Sequence, residues 1–337
     1  MRTNVKFIIG NLVVTLLLCL CNMGCTSDFR GRDLPEIQVH RFDKLQNEFF
    51  VSNSFTALQK MRVEYPQATN ILVEDVLNIG AIDNDNIAQI MREYYSDTVL
   101  QILHKDALIK FENMNQIESE LSKAFLNLKK ELPHIVLPQV YAQLSALNQS
   151  IVVGDSILGF SIDKYMGADY PLYDTFYYEY QSRSMTPERI VPDCLLYYLL
   201  SEYPFPWEWH RTLLDHILHR GKIHWVVYRI MEFKELYEEL GYSEGEAAWC
   251  SKNREILWNF LIQSGHLHST DPMLVRIYMQ PASCTYPLGK ESPMEVGVWL
   301  GMKIIDEYME KNKDLRIADL LRDTDYKNIL RTLGINY

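Results

Sequence analysis

Apolar residues recur at three- and four-residue intervals along most of this chain, and the period changes only once, in the middle. That change constrains the fold more than any other feature. Phe42, Leu45, Phe49 and Phe50 open the helical pattern. Leu100, Leu103, Leu108 and Phe111 continue it, and Ile117, Leu121, Phe125 and Leu128 carry it toward Lys130. Residues spaced this way fall on one helix face, and Pro66 and Pro133 punctuate the run. The middle stretches HIVLPQVYAQL and SIVVGDSILGFSID are short, rich in β-branched residues and joined by turn signals, with Gly154-Asp155 placed as a hairpin tip. After Met185 helical spacing returns, with Pro187, Pro204 and Pro272 near expected boundaries. The pattern predicts an α+β fold, mostly helical, around a small antiparallel sheet.

At 337 residues, 47% of them apolar, the chain can bury a sizeable core. No internal repeat is present, and only one stretch has linker composition, so residues 41–337 read as a single domain. The net charge of -11 argues against nucleic acid as a partner, because phosphate backbones are bound by concentrated Lys and Arg.

The first residues read as a targeting segment. Arg2 and Lys6 precede an apolar run over residues 7–21 that is too short for a mature membrane span. Asn22-Met23-Gly24-Cys25 follows, then the polar stretch TSDFRGRD. This is similar to a bacterial lipoprotein signal, with residues 1–24 removed and Cys25 as lipid acceptor. Cys19 and Cys21 each follow a leucine, too large for the position before cleavage. Residues 25–40 then form the lipidated N-terminus and tether. Beyond them only Cys194, Cys250 and Cys284 remain. Three scattered cysteines make no disulfide framework, and Cys194 and Cys250 sit in apolar helical surroundings that suit buried thiols.

Signatures of chemistry are scarce. There is no HExxH, no Gly-rich phosphate loop, no GxSxG turn and no EF-hand loop. Asp163 and Asp169 flank Tyr165-Met166-Gly167 near the end of the sheet segment, where a turn or cap role is the simpler expectation. YPLYDTFYYEYQSR, residues 170–183, is rich in tyrosine. Such rings can line a protein or glycan surface, or can pack an extended loop onto the core.

HRTLLDHILHRGKIHW, from His210 to Trp225, holds four histidines. Thr212 and Asp215 match a capping box, so a helix starts at Thr212 and His210 lies outside it. Leu213, Leu214, Ile217, Leu218, Gly221 and Trp225 gather on its apolar face. His216 and His219 share the polar side, and His224 falls near the edge of the apolar face. Only His216 and His219 could chelate together, and a zinc site needs a third protein ligand that nothing in the chain nominates. No metal and no cofactor are expected.

Several blocks together resemble the gliding-motility lipoprotein B (GldB) family of Bacteroidetes envelope lipoproteins: HRFD from His40, DKYMG from Asp163, TLLDHILHRGK from Thr212, WCSKNREILWNFLI from Trp249, HSTDP from His268 and SPMEVGVWLGMKIIDEYMEKN from Ser292. The last is similar to the family's most specific block, a Ser-Pro followed by Gly-x-Trp-x-Gly opening an amphipathic helix. Met294-Glu295 stand here where that family usually has Gly-Arg. The Thr212 block also resembles a group of predicted zinc-dependent proteases that carry Glu-Gly on the corresponding helix. Arg220 occupies the glutamate position, and the preceding helix has no histidine. A guanidinium has no lone pair to give a metal.

The resemblance implies a zincin-like scaffold lacking the metal motif. It implies a non-catalytic, lipid-anchored envelope protein with a structural or accessory role in gliding motility or the associated secretion machinery. Such a protein would face the periplasm, with the outer membrane favoured, and would work by binding an envelope protein. Candidate contact residues are Tyr173, Tyr177 and Tyr178 in the tyrosine segment, and Ser292, Pro293 and Trp299 around the Ser-Pro block. Packing of Gly297, Trp299 and Gly301 against the core is the competing expectation. The alternatives are an envelope zinc metallopeptidase with atypical ligands and a glycan-binding lipoprotein.

Overall fold

The middle of the chain forms a sheet whose pairing is mixed. In the computed structural model, described for residues 36–208 and 211–337, β1 (Val39–His40), β2 (Gln139–Gln143), β3 (Ile151–Gly154) and β4 (Ile157–Ser161) lie in the order β1-β2-β4-β3. β3 and β4 make the expected antiparallel hairpin, while β1 pairs parallel to β2, and β2 parallel to β4. The α+β architecture stands; the wholly antiparallel sheet does not. The 144–150 link carries the chain past one strand position, so β4 rather than β3 takes the place beside β2. The link is held in a costly backbone conformation, with Ala146 and Leu147 at φ of 53° and 65°. Asp163 holds it: its fully buried carboxylate accepts the N–H groups of Ser145 at 3.0 Å and Leu147 at 2.7 Å. The turn role expected of Asp163 is the one found, whereas Asp169 is exposed.

Between β1 and β2 run α1 (Phe42–Ser52), α2 (Phe55–Glu64), α3 (Pro66–Ile71), α4 (Ile87–Tyr94), α5 (Thr98–Lys110) and α6 (Asn115–Glu131). After the sheet come two single turns, α7 (Tyr173–Phe176) and α8 (Glu179–Ser182), then α9 (Ile190–Glu202), α10 (Leu213–Met231), α11 (Leu236–Glu239) and α12 (Glu244–Gln263). The chain ends with α13 (Pro272–Met279), α14 (Val296–Lys311), α15 (Ile317–Arg322) and α16 (Tyr326–Leu333). Ser54, Asp97, Ser243 and Asp271 cap four of these helices through their side chains. None of the described helices is long and apolar enough to cross a membrane.

Alternation along the strands splits the core in two. Val140, Ala142, Leu158 and Phe160 face the larger cluster with α6, α9, α10 and α14. Tyr141 and Val152 face a smaller one with α1 to α4. With both faces covered, β2 is apolar almost throughout, which is why its sequence shows no clean alternation. Gly159, the partner of Tyr141, leaves room for that ring: a Cβ there would come within 2.4 Å of it.

Residues 37–337 form one compact unit. Its edge lies earlier than the expected tether boundary, because Ile37 and Val39 are buried. The Ile37 N–H donates to Ser122 Oγ, and the Val39 N–H to Glu118 Oε1, both at 2.8 Å. Cys25 and His210 lie outside the described residues.

The closest helix crossing joins α10 to α14 at Gly221 and Gly301. A Cβ on Gly221 would stand 2.3 Å from the Gly301 carbonyl carbon, and one on Gly301 would stand 2.0 Å from the Ile217 carbonyl oxygen. Gly297 meets Met279 and the Tyr278 backbone in the same close way. Mid-helix glycine costs about 1 kcal/mol relative to alanine, and backbone-to-backbone packing is what offsets it here.

Candidate functional site

Two helices supply facing polar stripes. On α9 and the turn before it, Arg189, Asp193 and Tyr197 recur every four residues; on α10, His216, Arg220 and His224 do the same. Residues at this spacing share a helix face, and all six line one cleft of about 970 Å³. Glu239 at the end of α11 and Glu295 at the start of α14 close its floor, while Tyr177, Tyr180 and Trp207 contribute aromatic walls.

The floor is a network of alternating charge. Arg189 pairs with Asp193 at 2.8 Å and donates to the Glu239 carbonyl at 2.5 Å, and Tyr165 donates its hydroxyl to Asp193 at 2.9 Å. His224 Nδ1 lies 2.7 Å from Glu239 Oε2, with both residues buried. Burial pushes the His224 imidazole down, outweighing the pull of Glu239, so the ring is neutral and gives its Nδ1 proton to the carboxylate. Burial alone would raise Glu239, but His224, Arg189 and Arg220 together hold it below the usual range. Burial raises Asp193 despite Arg189 beside it. Glu295 is pushed up to about 7 by burial, with Arg220 opposing the shift. Its backbone is left-handed, φ 52° and ψ 31°, a conformation that costs a non-glycine residue energy and that concentrates at functional sites.

The histidines of α10 separate into three roles. His216 stacks flat on Phe205, with ring centroids 4.1 Å apart. His219, expected on an exposed polar face, is 3% exposed, and its Nδ1 lies 3.0 Å from the Tyr326 hydroxyl. The face is covered because α16 and the Phe205 segment pack over it. Lys222 is buried there too, donating to the carbonyls of Leu321 and Asp323 at 2.9 and 2.8 Å. Among the described residues, no three His, Cys, Asp or Glu side chains are grouped so as to hold a metal ion. The expected capping box is present: Thr212 Oγ1 accepts from the Asp215 N–H, and Asp215 accepts from the Thr212 N–H.

The candidate contact residues divide sharply. Tyr173, Ser292, Pro293 and Trp299 are buried and cannot form an outer surface. Tyr173 donates its hydroxyl to the Asp163 carbonyl and accepts from the Met166 N–H. Ser292 Oγ bonds the backbone of Thr285 and Gly289, pinning the loop that enters α14. For Gly297, Trp299 and Gly301, packing against the core is what the structure contains. Tyr177 lines the cleft and is tied to Lys164 and the Leu147 carbonyl. Tyr178 is 72% exposed. The tyrosine segment is therefore two short helical turns rather than an extended loop. Sequence reasoning passed over Arg189, Asp193, Glu239 and Glu295; the signal available for the first two was the four-residue polar stripe crossing an apolar helix.

Fold and cleft thus define a mostly helical α+β protein with a charge-lined cleft between two packed helices. The chain matches the model of the gliding motility protein GldB family over residues 28–333 and belongs to that family. No curated protein and no solved structure is similar enough to count as a match.

Proposed function

We propose that this chain is a lipid-anchored cell-envelope protein that serves gliding motility or the associated secretion machinery as a non-catalytic accessory, holding a partner at its cleft. Family membership supports the setting, and the residues around Cys25 support the anchor, with the protein facing the periplasm from the outer membrane. The observation that carries the binding role is the interleaving of Arg189 and Arg220 with Asp193, Glu239 and Glu295 on the cleft floor. Guanidinium groups stay charged and release no proton at physiological pH, so they orient an anionic group rather than transfer protons. A photo-crosslinking residue at Tyr178, flanked by the cleft-lining Tyr177 and Tyr180, should give one discrete adduct in native envelopes. An absence of any adduct there and at Trp207 would sink the proposal.

The metallopeptidase reading draws on His224, whose ring is oriented by Glu239 in the way that a carboxylate bonded to the far nitrogen orients a metal-bound histidine. Metal analysis of the purified chain separates the two. Stoichiometric zinc lost in His224→Ala or His216→Ala favours the peptidase, and zinc-free protein that still gives the Tyr178 adduct favours the accessory role.

A further inference from the structure

Three buried atoms on the cleft floor have no hydrogen-bond partner in the protein: Nε of Arg220, Nε2 of His224 and Oε1 of Glu239. Leaving a buried polar group unmet costs about 1–3 kcal/mol, so three such groups on residues lining one cleft point to a ligand that meets them there. Their chemistry specifies it. Arg220 offers a donor on a permanent cation. Glu239 can only accept. His224 carries its proton on the nitrogen that faces Glu239 Oε2 at 2.7 Å, so its other nitrogen presents a lone pair.

One cationic donor beside two acceptors is the complement of an anion with N–H groups next to it. We propose that the cleft binds short peptides by their free C-terminal carboxylate, Arg220 receiving the carboxylate while backbone N–H groups of the last residues reach His224 Nε2 and Glu239 Oε1. Inorganic phosphate fits less well, since the hydrogen phosphate ions present near neutral pH bring up to two negative charges beside the Glu239 carboxylate, where a peptide terminus brings one and donates through its N–H groups. The size also points to a peptide. A cleft of about 970 Å³ sits at the upper end of the roughly 300–1,000 Å³ of small-molecule sites and exceeds what one amino acid fills. Tyr180, Tyr197 and Trp207 give apolar walls with polar tips along its length. The inference rests on reading the cleft as a binding site and not on the lipid anchor.

Glu295 makes the site pH-dependent. It faces Arg189 and Asp193 from α9, Arg220 and His224 from α10, and Glu239 from α11. When ionised it competes with the ligand carboxylate for Arg220, so affinity should fall as pH rises through about 7.

The test is calorimetric titration of the detergent-solubilised full chain with N-acetyl-tri-alanine, its C-terminal amide and free alanine, at about pH 6 and pH 8. The free-carboxylate peptide should bind, with the amide and free alanine each weaker by about tenfold or more. Arg220→Met should lose about tenfold or more. Glu295→Gln should bind about three- to tenfold tighter than the parent at pH 8 and equally at pH 6, a gain that misfolding cannot produce. Equal binding of acid and amide, tighter binding of free alanine, or no gain in Glu295→Gln overturns the proposal. A partner captured at Tyr178 without peptide binding sinks this inference alone; peptide binding without an envelope partner sinks the accessory role alone.

Discussion

Asp163 carries more of the fold than its place in a short polar motif suggests. Its buried carboxylate holds the two left-handed residues that let the chain cross from β2 to β3. Removing it leaves one buried and one half-buried N–H group unmet and the turn unsupported. Asp163→Ala should therefore destabilise the protein by about 3 kcal/mol in urea unfolding. Glu295 acts on stability in the opposite sense. Its folded pKa, about 7, lies above the ordinary 4.5, so between those values the native state holds a proton that the unfolded chain releases. Stability should fall as pH rises from about 4.5 to 7, by up to about 3 kcal/mol, and stay lowered above it. Glu295→Gln should flatten that slope in melts across the range; an unchanged slope would assign it to other groups. Both residues were visible as letters, and a turn role was legible for Asp163, but nothing in their neighbours' spacing announces the full burial of Asp163 or the cleft setting of Glu295.

At the scale of elements, α10 shows what periodicity captures and what it leaves out. Its start, its capping box and its apolar face all follow from local pattern, because capping and amphipathicity are decided within a few turns. Burial of Asp215, His219, Lys222 and His224 is decided elsewhere, by α16, the Phe205 segment and α11 packing over the polar side. The crossing with α14 is the tightest contact of the helix. Gly221→Ala and Gly301→Ala should each cost about 3 kcal/mol, because the added methyl meets backbone that cannot move aside. The double variant should cost less than the sum, since one forced separation of the helices accommodates both methyls. Strict additivity would place the two glycines in independent contacts. Lys222→Met tests the other face: two carbonyls at the end of α15 lose their donor, and about 2 kcal/mol should be lost in the same assay.

For the whole molecule, the proposed anchor predicts that Cys25→Ala releases the protein from the membrane fraction or blocks its processing, while thermal stability of the body is unchanged. Retention in membranes at the parent level would refute the anchor. The body itself divides as its sequence does. The long helical stretches, the β3–β4 hairpin, the burial of Cys194 and Cys250 and the place of Gly221 on an apolar helix face could all be read from local period and turn chemistry, while the close approach that requires glycine at 221 and 301 could not. The parallel placement of β4 beside β2 could not be read, nor could the joining of Ile37 and Val39 to the body. The gathering of Arg189, Asp193, Arg220, His224, Glu239 and Glu295 into one cleft was equally hidden. The physical reason is the range of the forces involved. Helix propensity, capping and turn preference act between residues a few positions apart, so the sequence by itself determines them. Strand order and the pairing of buried charges depend on which distant surfaces exclude water together, and that is decided only when the chain packs.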